Sequence, residues 1–386
     1  MPPLPTVRLR TRPHGAAIFR KMIERGAGRI EAGSVVRVED RDGRFVGQAF
    51  WNPRSEIALR VLSWDEAAPV DDAWFRAAVV RAVALRRDVL QLAQVTDAYR
   101  VVHAEGDRLP GLVADVYGDV LSCQVSSLGI YRAFPVLREA FGEALGVRVV
   151  HVSADPRLAT KEGFPVPQGA GAAAATTIRE HGLRFAVDCA AGHKTGFFLD
   201  QRDARLRVRQ LAKGRRVLDL FSYTGGFAMN AARGGAASVV SVDLDEHAVA
   251  AARRNAELNG LAGAVEMQHA DAFDVLRGLR AGAFDLLVVD PARQAGSRGD
   301  VARALAYYTD LNRLAFEKVA RDGLVLACSC TGLVDEPSFL GALARAARNA
   351  GRPVAFLEIR GAPADHPVAA DCPEGRYLKT VLCRVD

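Results

Sequence analysis

The 386-residue sequence holds only six cysteines, Cys123, Cys189, Cys328, Cys330, Cys372 and Cys383, and no two of them form a C-x-x-C pair. That sparseness excludes a disulfide framework, and the missing pair removes a common zinc-ligand spacing, so reduced thiols and no metal site are expected. No apolar run is long enough to span a bilayer. The first residues, Met-Pro-Pro-Leu-Pro-Thr-Val-Arg, contain no apolar segment of the signal-peptide kind, so a cytoplasmic location with no membrane partner is expected. The G-x-G-x-x-G turn that would seat a diphosphate on a helix N-terminus is absent as well.

What is present is an ordinary globular composition, 49% hydrophobic and 25% charged, in a chain long enough for two or three domains. The net charge of +6 is unevenly placed. Residues 1–60 carry twelve Lys and Arg against six acidic residues, an excess equal to that of the whole chain. A polyanion partner would select such a basic module, because phosphate neutralisation supplies most nonspecific nucleic-acid affinity; a merely solvated arginine-rich surface gives the same count.

Residues 1–70 read as a small β-barrel. Thr6 to Arg10 alternates, Ser34 to Val38 follows a Gly33 turn, and Arg41-Asp42-Gly43-Arg44 turns into Phe45 to Trp51, with Ile57 to Leu62 closing the set. In Gly33-Ser-Val-Val-Arg-Val, Asp42-Gly-Arg-Phe-Val-Gly and Trp51-Asn-Pro-Arg-Ser-Glu-Ile-Ala-Leu-Arg this region resembles a PUA-type RNA-binding domain. An α+β middle domain follows over residues 71–180. Its first helix is predicted from Asp71 to Leu92, on the spacing of Trp74, Ala77, Val80 and Ala84, with the arginines outside. Tyr99 to Val125 reads as strands and Tyr131 to Leu145 as a second helix. The small-residue stretch from Gln168 to Thr177 is expected to be a flexible loop, and the turn from His103 to Leu112 to be structural.

Residues 181–386 carry the chemistry. Val217 to Leu220 is a buried strand running into Phe221-Ser222-Tyr223-Thr224-Gly225-Gly226, and Ala237 to Val242 is a second strand ending in Asp243. In a doubly wound sheet a carboxylate at the second strand's end faces a ribose. A close-approach turn with a ribose carboxylate and no diphosphate cradle fits S-adenosylmethionine better than a dinucleotide. Asp219, Phe221, Ser222, Gly225 and Asp243 are the cofactor candidates. Asp271 and Ala272, after a third strand from Glu266 to His269, join them by a resemblance to S-adenosylmethionine-dependent methyltransferases, in which an acidic residue here meets the adenine amine; Asp271 could instead be only a helix cap.

Phe284 to Asp290 is a fourth strand, ending in Asp290-Pro291 at the sheet edge where such folds bind ligands. A fifth, Leu324 to Ala327, runs into Cys328-Ser329-Cys330-Thr331-Gly332. A thiol with a partner acid suits covalent catalysis. The stretch Lys194-Thr195-Gly196-Phe197-Phe198-Leu199-Asp200-Gln201-Arg202 resembles the signature of the bacterial 23S rRNA cytosine-C5 methyltransferases. Ser329-Cys330-Thr331-Gly332 and the tail around Asp365-His366 and Pro373 to Lys379 extend that resemblance. It implies a class I methyltransferase sheet preceded by the PUA-like barrel and the middle domain. It also implies Cys330 as nucleophile, with Asp290 as the partner acid. A loop rich in Lys, Gln, Arg and aromatics just ahead of the cofactor domain suits closing over the methionine end, with Gln201 near the cofactor, or gripping substrate through Lys194 and Arg202, with Arg293 also toward substrate; the alternative is that Asp200 caps a helix and Arg202 is solvated. Cys328, with no counterpart in the family's pattern, would be structural or auxiliary, and the expected partner is 23S rRNA or other RNA, with a homodimer allowed for. Where the family has Asp-Pro-Pro, this chain has Asp290-Pro291-Ala292. Two other readings stand beside this one: a methyltransferase for another RNA, a nucleoside or a small molecule, and a non-catalytic RNA-binding or assembly factor.

Overall fold

The computed structural model describes residues 3–24, 29–190 and 196–386. The chain forms two compact units: residues 1–179, 187–199 and 364–375, and residues 180–186, 200–363 and 376–386. In the first, strands Thr6–Arg8, Val35–Glu39, Phe45–Trp51, Ile57–Ser63 and Ala17–Phe19 pair in that order, and a Leu9–Ile23 bridge joins the two edges. Alternation explains the closure. Val7, Val36, Val38 and Ile18 are fully buried while their neighbours along each strand are partly or fully exposed, and Leu9 and Leu59 join them in the core.

The middle sheet, Ala98–His103, Leu112–Tyr117, Val120–Val125 and Val149–Ser153, carries helices Asp72–Ala84 and Leu128–Leu145. Its core takes in Phe50 and Leu62 from the barrel, with Phe50 stacked on Phe75 at 5.9 Å. The expected apolar stripe is corrected by one position. Phe75, Ala78, Val79, Ala82 and Val83 are buried, whereas Val80 is 58% exposed. Alanines and valines fall on both faces of this helix, so only packing against a neighbour could choose between them. The α-helix also stops at Ala84 and widens into a π turn, Leu85–Val89. There Arg86, expected outside with the other arginines, is fully buried. Its guanidinium grips the Asp107 carboxylate with both Nη groups and donates to the carbonyls of Arg100 and Asp365 at 2.8 and 2.7 Å. The structural reading of the turn after His103 agrees with this. The small-residue stretch is partly ordered: Gly171–Ala174 is a 3-10 turn and Ala175–Glu180 a strand.

The second unit contains a seven-stranded sheet. Its strands are β1 (Arg216–Leu220), β2 (Ser238–Asp243), β3 (Glu266–His269), β4 (Phe284–Val289), β5 (Val319–Ser329), β6 (Val354–Arg360) and β7 (Lys379–Val385), in the order 3-2-1-4-5-7-6. All pairs are parallel except those that β7 makes with β5 and β6. Six helices flank them: α1 (Arg202–Leu211), α2 (Gly226–Arg233), α3 (Glu246–Leu258), α4 (Ala272–Gly278), α5 (Val301–Lys318) and α6 (Glu336–Ala350). Near-continuous burial of β1, β4 and β5 is what strands covered on both faces require. Among the described residues no helix is long and apolar enough to cross a membrane, and no group of His, Cys, Asp and Glu could hold a metal.

Candidate active site

Register brings the chemistry to one edge. Leu220 lies opposite both Val242 and Val289, and Val289 lies opposite Ala327. The residues that follow, Phe221, Asp243, Asp290 and Cys328, therefore emerge side by side where the order reverses at β1, the position at which doubly wound sheets bind ligands.

The β1–α2 turn is held in a shape that admits close approach. Phe221, Tyr223 and Gly225 all have positive φ, at 61°, 49° and 81°. The Asp243 carboxylate fixes the turn by accepting from the backbone N–H groups of Tyr223 (2.7 Å) and Asp245 (2.9 Å). Asp219 is 1% exposed. Its Oδ2 accepts from Ala228 N–H at 2.9 Å, while Oδ1 meets no donor among the described residues. Burial, aided by the charges of Asp290 and Asp243, pushes its pKa well above the ordinary carboxylate range. Gly226 must lack a side chain, because a Cβ there would lie 2.9 Å from Cδ of Arg205. Arg205 cannot easily give way, being clamped by both oxygens of the buried Glu180 at 2.7 and 2.6 Å. An orphaned buried carboxylate oxygen beside a glycine turn, with no diphosphate cradle, fits S-adenosylmethionine. Asp219, the 221–225 turn and Asp243 are the residues that would hold it.

Asp271 caps α4, accepting from Phe273 and Asp274 N–H at 2.8 and 3.2 Å, and Ala272 behind it is buried. Gln201 is 3% exposed and lies near enough to the Cys328 thiol to act on its pKa. Cys328 itself is fully enclosed, and burial raises its thiol pKa strongly.

Cys330 is half-buried, its Sγ 4.0 Å from the carbonyl oxygen of Pro291. The next residue, Thr331, ties three segments together: its Oγ1 accepts from Gln294 N–H at 3.0 Å and lies 2.7 Å from the Tyr308 hydroxyl, and its carbonyl accepts from Lys379 Nζ at 2.7 Å. The turn carrying Ala292 is thus braced from the thiol side. Arg293 folds back on that turn, donating from Nε to the Ala295 carbonyl at 2.7 Å. Arg202 is 3% exposed, so its guanidinium does not stand on the surface. Lys194 lies outside the described residues. Arg205 and Glu180 carried no signal by type or spacing; Thr331 and Lys379 lay within stretches that carry the family resemblance but had no role assigned, and a lysine opening the mostly apolar run Leu378 to Cys383 is the hint that could have flagged Lys379.

The sheet order, the reversal at β1, and the carboxylates ending β1 and β2 define a class I S-adenosylmethionine-dependent methyltransferase. The family model for S-adenosylmethionine-dependent methyltransferases matches residues 169–384, and a PUA-like domain model matches residues 10–64. The proteins named ribosomal RNA large subunit methyltransferase I from Erwinia tasmaniensis and Salmonella arizonae are each 37% identical over 375 residues. The match covers 95% of this chain and 94% and 93% of theirs. The chain belongs to this family of PUA-like, S-adenosylmethionine-dependent methyltransferases. Among solved structures, SMU.776 in complex with SAH shares the fold at TM-score 0.83 and 21% identity, covering 98% of this chain and all of that one.

Proposed function

We propose that the protein methylates C5 of a cytosine in 23S ribosomal RNA, with Cys330 as covalent nucleophile and Asp290 as its partner acid. The relatives' shared name supports a ribosomal RNA substrate, and the basic PUA-like barrel supports RNA binding. The observation that carries the chemistry is the half-buried Cys330 thiol on the sheet edge that also bears Asp219, Asp243 and Asp290.

Cytosine C5 is a weak carbon nucleophile. Addition of the Cys330 thiolate at C6, assisted by a proton donated from Asp290 toward N3, makes C5 enamine-like. Bound S-adenosylmethionine supplies an electrophilic methyl group on a sulfonium. After methyl transfer, the C5 proton is lost to a base, N3 returns its proton to Asp290, and the thiolate leaves, which restores the neutral aromatic base. A cytosine inside a duplex must be extruded for this, so a single-stranded or protein-poor rRNA is the expected substrate. Lys194, Arg202 and Arg293 are proposed on the substrate side and Gln201, Asp271 and Ala272 around the cofactor.

The test incubates the enzyme with labelled S-adenosylmethionine and unmodified 23S rRNA, beside Cys330→Ala, and maps product by bisulfite sequencing. A methylated cytosine that the variant fails to make, by about 10³-fold or more, is expected. Label in RNA without a protected cytosine would move the target to another base or position. Cofactor binding with no RNA methylation would sink the rRNA reading.

A further inference from the structure

Lys379 opens β7 as the register partner of Ser329, one residue before Cys330. It is 2% exposed. Its Nζ donates to the carbonyl of Thr331 at 2.7 Å and to that of Tyr377 at 2.8 Å. The ammonium is therefore pinned alongside the thiol's own backbone, on the residue before it by strand pairing and on the residue after it by hydrogen bonding. Two carbonyls take two of its three protons, and no acceptor for the third is found among the described residues.

A buried ammonium is costly unless negative charge lies near it. The groups whose charge reaches it are Cys330, Asp335 and Glu336. Both carboxylates have other engagements: Asp335 caps α6 through Ser338 N–H at 2.8 Å, and Glu336 pairs with Arg376 at 2.7 Å. Around the same loop, Tyr308 bonds to Thr331 Oγ1 and the Tyr377 hydroxyl donates to Asp200 at 2.6 Å.

We infer that Lys379 is a positioning residue whose fixed ammonium holds Cys330 in its thiolate form. The inference rests on the reading of Cys330 as nucleophile and gives that reading a source of ionisation for the thiol. The charge coupling runs both ways. Burial brings the Lys379 pKa down to about 8, and Cys330 acts to raise it. A cation whose pKa is raised by a thiolate lowers the thiol's own pKa in turn. Below about pH 8 the ammonium is present and the thiolate is favoured.

The test measures the rate of Cys330 carbamidomethylation by iodoacetamide against pH, by peptide mass spectrometry on the full chain without RNA, in wild type, Lys379→Met, Lys379→Gln and Lys379→Arg. Circular dichroism and SAH calorimetry report folding. The two neutral variants are expected to react about tenfold or more slowly at about pH 7 and to close the gap by about pH 9.5, while Lys379→Arg recovers part of the rate. Methylation of 23S rRNA should show the same pH-dependent deficit. A purely structural tie would instead give a deficit equal at all pH values. Superimposable alkylation profiles in folded variants overturn the inference. If neither neutral variant binds SAH, the wild-type midpoint decides, and one at or above about 8.5, that of an ordinary thiol, overturns it. Because alkylation needs no RNA, a methylation-competent Cys330→Ala would sink the nucleophile reading and leave this result standing.

Discussion

Asp107 in the first unit and Asp219 in the second are both carboxylates taken out of water, and they are treated in opposite ways. Asp107 meets both Nη groups of the buried Arg86 and also accepts from His103 N–H. Asp219 has one backbone donor and an oxygen without any among the described residues. The carboxylates around Asp107 are paired in the same way: Arg100 clamps Asp115 at 2.8 and 2.9 Å, and burial and the Arg100 charge push His103 down to about 3, so it stays neutral. A buried charge that is fully paired braces a fold, whereas one left half-satisfied at a sheet edge is a demand for a ligand.

Breaking the closed side has the largest expected effect. Arg86→Met leaves Asp107 buried without its cation and should cost about 3–5 kcal/mol in denaturant unfolding, without altering the SAH affinity of whatever fraction is folded. On the open side, Asp243→Ala removes the acceptor for two turn N–H groups and the proposed ribose contact. SAH affinity by calorimetry should fall roughly 10- to 100-fold.

A pH series sharpens the contrast. The folded pKa of Asp219 is raised, so its contribution to stability is complete below the unfolded value near 3.8 and is lost as pH rises through the folded value. Thermal melts of the wild type should therefore carry a destabilising slope with rising pH that Asp219→Asn lacks; parallel melting curves for the two proteins would refute it. The smallest effect belongs to the surface. Arg76 bonds to Glu139 and Glu143 in the open, and Arg76→Ala should leave the melting temperature unchanged within error.

Much of the site's skeleton is legible in the order of residues alone. Apolar runs ending in Asp243, Asp290 and Cys328 announce strands covered on both faces, and the cap at Asp271 appears where its spacing puts it. The helix of residues 72–84 is legible at its start but not in orientation, since its alanines and valines are nearly interchangeable between faces. Arg86 reads as solvent-facing because arginine usually is, and only a folded partner set justifies burying it.

By itself the sequence determined the local content of this protein: strand and helix order, the absence of a diphosphate turn, the carboxylates that close strands, and a thiol in the right company. These follow from periodicity and residue chemistry acting over a few positions. Tertiary structure alone decided that Leu220, Val242, Val289 and Ala327 stand in one row, that Glu180 clamps Arg205 beneath Gly226, and that Lys379 lies beside the Cys330 loop. Such juxtapositions join residues tens to hundreds of positions apart, and they are fixed by strand register and by the high cost of burying a charge without its partner.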